Sequence, residues 1–299
     1  MSTPYLFFSS FSPVVFSIGP VDIYWYGIMY LISFIFTLKI ALSRINLFVS
    51  KKELEYLIYI GFLAGIWGGR IGYVLFYNLH FFIQKPLEIF QIWKGGMSFH
   101  GGLIGVICVI FCFSLMCRKI FLQVSDFMVP LVPLGLGAGR IGNFINGELW
   151  GRVAIHTPWA MIFPRAYTED VIFVSTHPQY LSILERDQGI PRHPSQLYEF
   201  LLEGVLLYII LKIFTCKIRP IGTSTGLFLI IYGIFRIIGE CYREPDIQIG
   251  LLYNFLTIGQ IFSLPMIVLG LLIILRSYYS SYQEKDKISC HERISSINE

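Results

Sequence analysis

Apolar runs long enough to cross a bilayer dominate this chain, at residues 23–42, 56–77, 97–116, 127–146, 197–214, 227–241 and 251–275. The sixth is short and can start earlier, near Thr223. An α-helix rises about 1.5 Å per residue, so about 20 residues span a hydrocarbon core of about 30 Å. In lipid every backbone N–H and C=O must be bonded within the protein, which leaves helices as the economical solution for such runs. Hydrophobic residues make up 55% of the chain and charged ones 14%, whereas soluble domains carry about a quarter charged residues. The predicted fold class is therefore an all-α polytopic membrane protein with about seven transmembrane helices.

The formal net charge of +4 is small and scattered, which argues against a nucleic-acid partner. The loop cations instead predict topology. With the N-terminus outside, the inner segments hold Arg44, Lys51, Lys52, Arg118, Lys119, Lys212, Lys217, Arg219, Arg276, Lys285, Lys287 and Arg293. The outer segments hold Lys85, Lys94, Arg152, Arg165, Arg186, Arg192 and Arg243, four of them in one long loop where the rule is weaker. This predicts an extracytoplasmic N-terminus and a cytoplasmic C-terminus. The first 38 residues hold no Lys or Arg, so the basic start of a signal peptide is not expected.

Residues 1–275 are expected to form a single integral membrane catalytic domain, followed by a polar, disordered cytoplasmic tail at 276–299. The loop 147–193, between spans 4 and 5, carries Pro158, Pro164, Pro178 and Pro191. Its length predicts a small extracytoplasmic head. Segment 80–96 alternates aromatics with Lys and Glu, which suits either an interfacial helix or a plain connection. Cys108, Cys112, Cys117, Cys216, Cys241 and Cys290 suggest apolar filler, with no disulfide framework or metal site. No two histidines stand at metal-ligand spacing.

Polar residues inside a membrane are expensive and mark function. On the predicted topology Tyr26, Arg70, His100, Arg140, Asn143, Glu199, Glu203, Arg236 and Glu240 all fall on the outer side of the midplane. A transporter would place such groups near the midplane. Arg140 and Asn143 share one helix face, as do Arg236 and Glu240, although a structural ion pair alone would account for the latter. Gly135, Gly139, Gly142 and Asn146 form a stripe almost free of side chains, which admits a helix or a ligand. Arginines 70, 140 and 236 facing one outer cavity would suit an anion, and a lipid phosphate is the natural one there. His100 suits either simple packing or a general base. Ser98 does not read as a nucleophile, because G-x-S-x-G fails at position 100.

The segments WYGIMY (25–30), GGMSFHGGLIG (95–105), GRIGNFINGELWG (139–151), RHPSQLYE (192–199) and GLFLIIYGIFRIIGE (226–240) occur in this order. They resemble the signature of the prolipoprotein diacylglyceryl transferase family, and the similarity runs from about residue 4 to about 275. The resemblance implies seven spans and an active site on the outer face of the bacterial plasma membrane. It implies transfer of the diacylglyceryl group of phosphatidylglycerol to the lipobox cysteine thiol of an exported prolipoprotein, giving a thioether and glycerol 1-phosphate. No cofactor is implied.

The implied site contains Tyr26, His100, Arg140, Asn143, Asn146, Glu148, Gly151, Tyr232, Arg236 and Glu240. In it His100 takes the thiol proton. Arg140 holds the phosphate, and Arg236, oriented by Glu240, does the same from span 6. Asn143 and Asn146 donate to phosphate or glycerol oxygens, and Glu148 orients an arginine or a glycerol hydroxyl. Tyr26 and Tyr232 offer hydroxyls or packing. Residues 241–253 form the most variable outer loop. The rival classes are an outer-leaflet lipid or anion transporter, which would give flux without covalent product, and a lipid-binding assembly factor, which would need no base.

Overall fold

The computed structural model describes residues 5–9, 11–19, 21–45, 49–245 and 256–295. In chain order the elements are β1 (Leu6–Phe7), β2 (Val14–Ile18), β3 (Val21–Tyr24), α1 (Trp25–Ser43), α2 (Lys51–Tyr77), α3 (Leu79–Gln84), α4 (Phe99–Met116), α5 (Phe121–Met128) and α6 (Val132–Asn146). They continue as β4 (Met161–Ile162), α7 (Tyr167–Thr176), α8 (Leu181–Asp187), α9 (Ser195–Glu199), α10 (Leu207–Thr215), α11 (Thr223–Tyr242) and α12 (Ile258–Ser295).

Among the described residues six helical stretches are long and apolar enough to cross a membrane: Trp25–Ser43, Lys51–Tyr77, Phe99–Met116, Phe121–Asn146, Thr223–Tyr242 and Ile258–Gln283. The protein is an all-α polytopic membrane protein, but the expected fifth span, 197–214, is not one uninterrupted α-helix. It runs through α9, a π-helical segment Phe200–Leu206 and α10. The expected last span began at 251, and residues 251–255 lie outside the described residues. The expected disordered tail differs too, because α12 continues to Ser295.

The chain divides into two compact units, residues 14–131 and residues 1–13 with 132–299. In the first, β2 and β3 pair antiparallel as a hairpin. Its turn uses Gly19 at φ +59°, and Ser17 Oγ donates to Asp22 Oδ1 at 2.6 Å. Helix α2 opens with a capping box: Ser50 Oγ accepts from Glu53 N, and Glu53 Oε2 accepts from Ser50 N at 2.8 Å. Helices α2 and α4 cross on glycines. A Cβ on Gly72 would lie 2.8 Å from Gly101 Cα, so the backbones touch.

Arg70 corrects an expectation. Its guanidinium donates to the carbonyls of Glu88 (2.7 Å), Ile89 (2.9 Å), Gln91 (3.3 Å), Gly95 and Gly96 (3.2 Å). It also stacks on Phe82, 5.1 Å from the ring centroid. The segment 85–96 contains two short 3-10 turns, and Arg70 supplies donors to carbonyls of this segment. Arg70 is buried by its own unit's backbone and is no part of an anion-facing cavity. Ser98 likewise has a structural role: it is the N-cap of α4 and accepts from Gly101 N at 3.3 Å.

In the second unit β1 pairs in parallel with β4, and Phe8 packs with Phe163, Ala166, Phe144, Trp150 and Met161. Residues 147–193 fold around the short helices α7 and α8. Their centre is a buried ion pair, Arg192 Nε to Asp170 Oδ1 at 2.7 Å, with Ile190 N donating to Asp170 Oδ2 at 2.9 Å. Burial raises the Asp170 carboxyl pKa, and the facing Arg192 opposes that shift. The helical stretch 121–146 breaks at a 3-10 turn, Val129–Leu131. Pro130 and Pro133 cannot donate to the helical ladder there. Helix α6 then crosses the π segment on glycines, where a Cβ on Gly204 would sit 2.9 Å from Gly137 Cα. The glycine that makes this crossing is therefore Gly137, on a different face from the predicted stripe.

Candidate active site

Two glutamates that share a helix face repel, and burying both demands cations. Glu199 closes α9 and Glu203 sits in the π segment, both with fully buried side chains. π turns are rare and recur at functional sites. The Gly137–Gly204 contact brings this backbone close to α6, and Arg140 reaches across. Its Nε and Nη2 donate to Glu203 Oε2 at 3.0 and 2.8 Å, and its Nη1 lies 3.0 Å from Glu199 Oε2.

Helix α11 brings a second guanidinium. Arg236 Nη1 donates to Glu199 Oε1 at 2.7 Å and lies 3.7 Å from Glu203 Oε1. Its Nη2 pairs with Glu240, one turn further on, as the i,i+4 spacing predicts. A third guanidinium follows: Arg243 Nη1 is 3.9 Å from Glu199 Oε1 and 4.0 Å from Glu240 Oε1. Room for Glu240 comes from α12, where a Cβ on Gly259 would fall 2.7 Å from Glu240 Oε1. Tyr232 shares the face of Arg236 and stacks on Phe228 with centroids 5.6 Å apart. Its hydroxyl feels the charges of Glu203, Arg236, Arg140 and Glu199.

Three arginines thus face three carboxylates in a chain that alternates in sign. A buried network of this kind contributes little net stability compared with apolar packing, so its retention points to function. Guanidiniums stay charged in proteins, and each has five N–H donors in a rigid fork. Arg140 gives two of these to hydrogen bonds with Glu203, and its Nη1 stands against Glu199 Oε2 as an ion pair.

One turn beyond Arg140, Asn143 Nδ2 and Asn146 Nδ2 both donate to Glu148 Oε1, at 3.1 and 3.4 Å. Glu148 was expected to orient an arginine or a glycerol hydroxyl, and the asparagines to donate to phosphate or glycerol. Here the three hold one another, because Gly147 at φ +61° turns the chain back over the helix end. The start of α9 locks this turn: Ser195 Oγ donates to Leu149 O at 2.9 Å and Gln196 Nε2 to Glu148 O at 2.7 Å. Gly151 threads between two backbones. Its N–H donates to His193 O at 2.9 Å, and a Cβ there would lie 2.5 Å from His193 O and 2.6 Å from Tyr242 O. Close approach, with no bonding group of its own side chain, accounts for this glycine.

Arg140, Arg236, Glu240 and Tyr232 therefore converge as predicted. Asn143, Asn146 and Glu148 form a bonded group of their own, and Gly151 has a packing role. His100 and Tyr26 belong to the other unit. His100 is the second residue of α4, exposed, with its ring 5.8 Å from that of Phe99. Tyr26 opens α1 beside Tyr30, at 5.4 Å. Glu199, Glu203 and Arg243 were not among the predicted site residues. A usable signal existed: Glu199 and Glu203 are i,i+4 carboxylates in an otherwise apolar run.

The fold and the site define a multi-pass membrane protein with a buried arginine–carboxylate centre. The family model described as prolipoprotein diacylglyceryl transferase matches residues 13–276. The chain is 56% identical over 281 residues to the phosphatidylglycerol–prolipoprotein diacylglyceryl transferase of Sodalis glossinidius, covering 93% of this chain and 97% of that one. It is 54% identical over 288 residues to the enzyme of the same name from Serratia proteamaculans, covering 95% and 99%. The corresponding Yersinia enterocolitica enzyme gives 54% identity over 288 residues, covering 95% of this chain and 99% of that one. The chain belongs to the prolipoprotein diacylglyceryl transferase family.

Proposed function

We propose that Arg140 and Arg236 clamp the phosphate of phosphatidylglycerol and that this clamp serves diacylglyceryl transfer. The chain is a transferase of lipoprotein maturation, moving the diacylglyceryl group of phosphatidylglycerol to the cysteine thiol of a prolipoprotein. The sulfur attacks the glyceryl carbon that carries the phosphate ester. The carbon–oxygen bond breaks, a thioether forms, and glycerol 1-phosphate departs.

One observation carries the clamp. Guanidiniums from two different helices meet on a single buried carboxylate, 3.0 Å from Arg140 and 2.7 Å from Arg236. Two forks that share one small anion are close enough to share a phosphate. Preorganised cations of this kind stabilise the charge that builds on a leaving phosphomonoester. Arg140 and Arg236 are the catalytic arginines of this reading, with Glu240 orienting Arg236. Asn143, Asn146 and Glu148 form a polar wall for the glycerol, and Gly151 holds that wall close to the end of α11 at Tyr242. Tyr232 lines the clamp.

His100 as the base that takes the thiol proton, and Tyr26 as a substrate contact, enter through the family motifs alone. A free thiol has a pKa of about 8.5, which nearby cations lower. On this reading the chemistry lies on the outer face of the inner membrane, where an exported lipobox cysteine arrives and the bilayer supplies the lipid; the distribution of loop cations supports that side.

The test is reconstitution in phosphatidylglycerol vesicles with a lipobox peptide, following the thioether peptide and glycerol 1-phosphate. Arg140→Ala is expected to lower turnover by about 100-fold or more. Undiminished turnover in that variant would remove the clamp. An unchanged pH–rate profile in His100→Gln would remove His100 as the base.

A further inference from the structure

Each of the two clamp arginines has a principal carboxylate partner: Glu203 holds Arg140 through two N–H groups and stands 3.7 Å from Arg236, and Glu240 pairs with Arg236. Glu199 does something different. Its two oxygens are divided between them, Oε1 at 2.7 Å from Arg236 Nη1 and Oε2 at 3.0 Å from Arg140 Nη1. Among the described residues it is the carboxylate within 4.0 Å of three guanidiniums, since Arg243 Nη1 also lies 3.9 Å from Oε1.

Glu199 has little freedom. Its side chain is fully buried. Its methylene stem lies against α11, where a Cβ on Gly239 would come 3.2 Å from Glu199 Cγ. Its helix start is pinned by Ser195 and Gln196 to the carbonyls of Leu149 and Glu148. Two guanidiniums held close together repel, and Arg236 feels the charge of Arg140 directly. An anion between them is what keeps the pair together.

Resting on the clamp reading above, we propose that Glu199 is a positioning residue for diacylglyceryl transfer: it sets the spacing of the Arg140 and Arg236 forks so that both bear on one phosphate in the transition state. Removal of its charge leaves Arg140 and Arg236 coupled only through Glu203, whose Oε1 stands 3.7 Å from Arg236 Nη1, a longer and weaker link than the 2.7 Å contact of Glu199. Binding of phosphatidylglycerol then survives while the chemical step suffers, because a displacement of about 1 Å in a catalytic group costs about 100-fold in rate.

The experiment uses the full chain in vesicles of phosphatidylglycerol with a lipobox peptide. Glu199→Gln is expected to lower kcat by about 30- to 100-fold while changing KM for the lipid by less than about threefold. The cost of Arg236→Lys in the Glu199→Gln background should shrink well below its cost in the parent, since both changes break the same coupling. Unchanged kcat in Glu199→Gln overturns the proposal, whatever happens to KM, and so do independent, multiplicative losses in the double variant. If Glu199→Gln does not fold, Gly239→Ala displaces the Glu199 stem without removing its charge. A kcat loss at preserved KM supports the proposal there, and parental kcat overturns it. Arg140→Ala separates the two readings: full activity in that variant ends the clamp itself, whereas an inactive Arg140→Ala beside a fully active Glu199→Gln ends only the role of Glu199.

Discussion

Glu203 accepts two N–H groups of Arg140 on one carboxylate oxygen, Nε at 3.0 Å and Nη2 at 2.8 Å, across 63 residues of chain. That contact depends on the planar fork of a guanidinium. Lysine keeps the charge but presents a point ammonium that cannot bridge Glu203 and Glu199 with the same geometry. Arg140→Lys is therefore expected to fold and to lose about 100-fold in kcat. Peptide lipidation in phosphatidylglycerol vesicles measures it, and near-parental turnover would show that charge alone suffices.

The Arg140–Glu203 contact requires two backbones to touch. A Cβ on Gly204 would fall 2.9 Å from Gly137 Cα, so Gly204→Ala must push α6 and the π segment apart. Overpacking of this sort costs about 1–3 kcal/mol. The expected result is a lower Tm in detergent, together with reduced lipidation as Glu203 withdraws from Arg140.

Arg70 donates to five backbone carbonyls between Glu88 and Gly96. Arg70→Met preserves much of the length and apolar stem but orphans those carbonyls. Hydrogen bonds to a charged donor contribute about 1.5–3 kcal/mol each, so a loss of at least about 3 kcal/mol is expected. Thermal unfolding and protease cleavage within 85–96 report it. Unaltered stability would mean that the carbonyls find other donors.

His193 accepts from Gly151 N through its backbone carbonyl, and its Nδ1 lies 3.1 Å from the Tyr198 hydroxyl, which accepts from Trp159 Nε1 at 2.6 Å. Burial holds its imidazole pKa below the ordinary value. The unfolded chain therefore binds a proton that the folded chain refuses. The His193 contribution is complete above about pH 6.5 and is lost as pH falls through the depressed folded value. His193→Gln should flatten the decline of Tm between about pH 7.5 and about pH 5.5. Parallel Tm curves for parent and variant would remove His193 from that decline.

Short-range pattern explains what could be read directly. The pairing of Arg236 with Glu240 follows from one helical turn, and the break at Pro130 and Pro133 from a missing donor. The capping box at Ser50 and Glu53 is equally local. Pattern failed where the partner is distant in sequence. Arg70 and Arg140 sit in similar glycine-rich contexts, GGRIG and GAGRIG. One bonds loop carbonyls and the other buried carboxylates, and nothing within a helical turn of either residue distinguishes them. The fifth predicted span is helical throughout, but its π segment could not be read from pattern, because it answers to the Gly137–Gly204 contact as much as to its own residues.

The sequence by itself determined a chain of membrane helices, because apolar runs of bilayer length have few other ways to satisfy their backbone. It also determined the family, and it singled out Arg140 and Arg236 as charges in apolar helices that need a use. Only the tertiary structure decided what those arginines face. Glu199 and Glu203 join Arg140 and Arg236 through helix crossings whose registers are set by glycine contacts and side-chain packing, so which polar residues share a site is a property of the packed helices together.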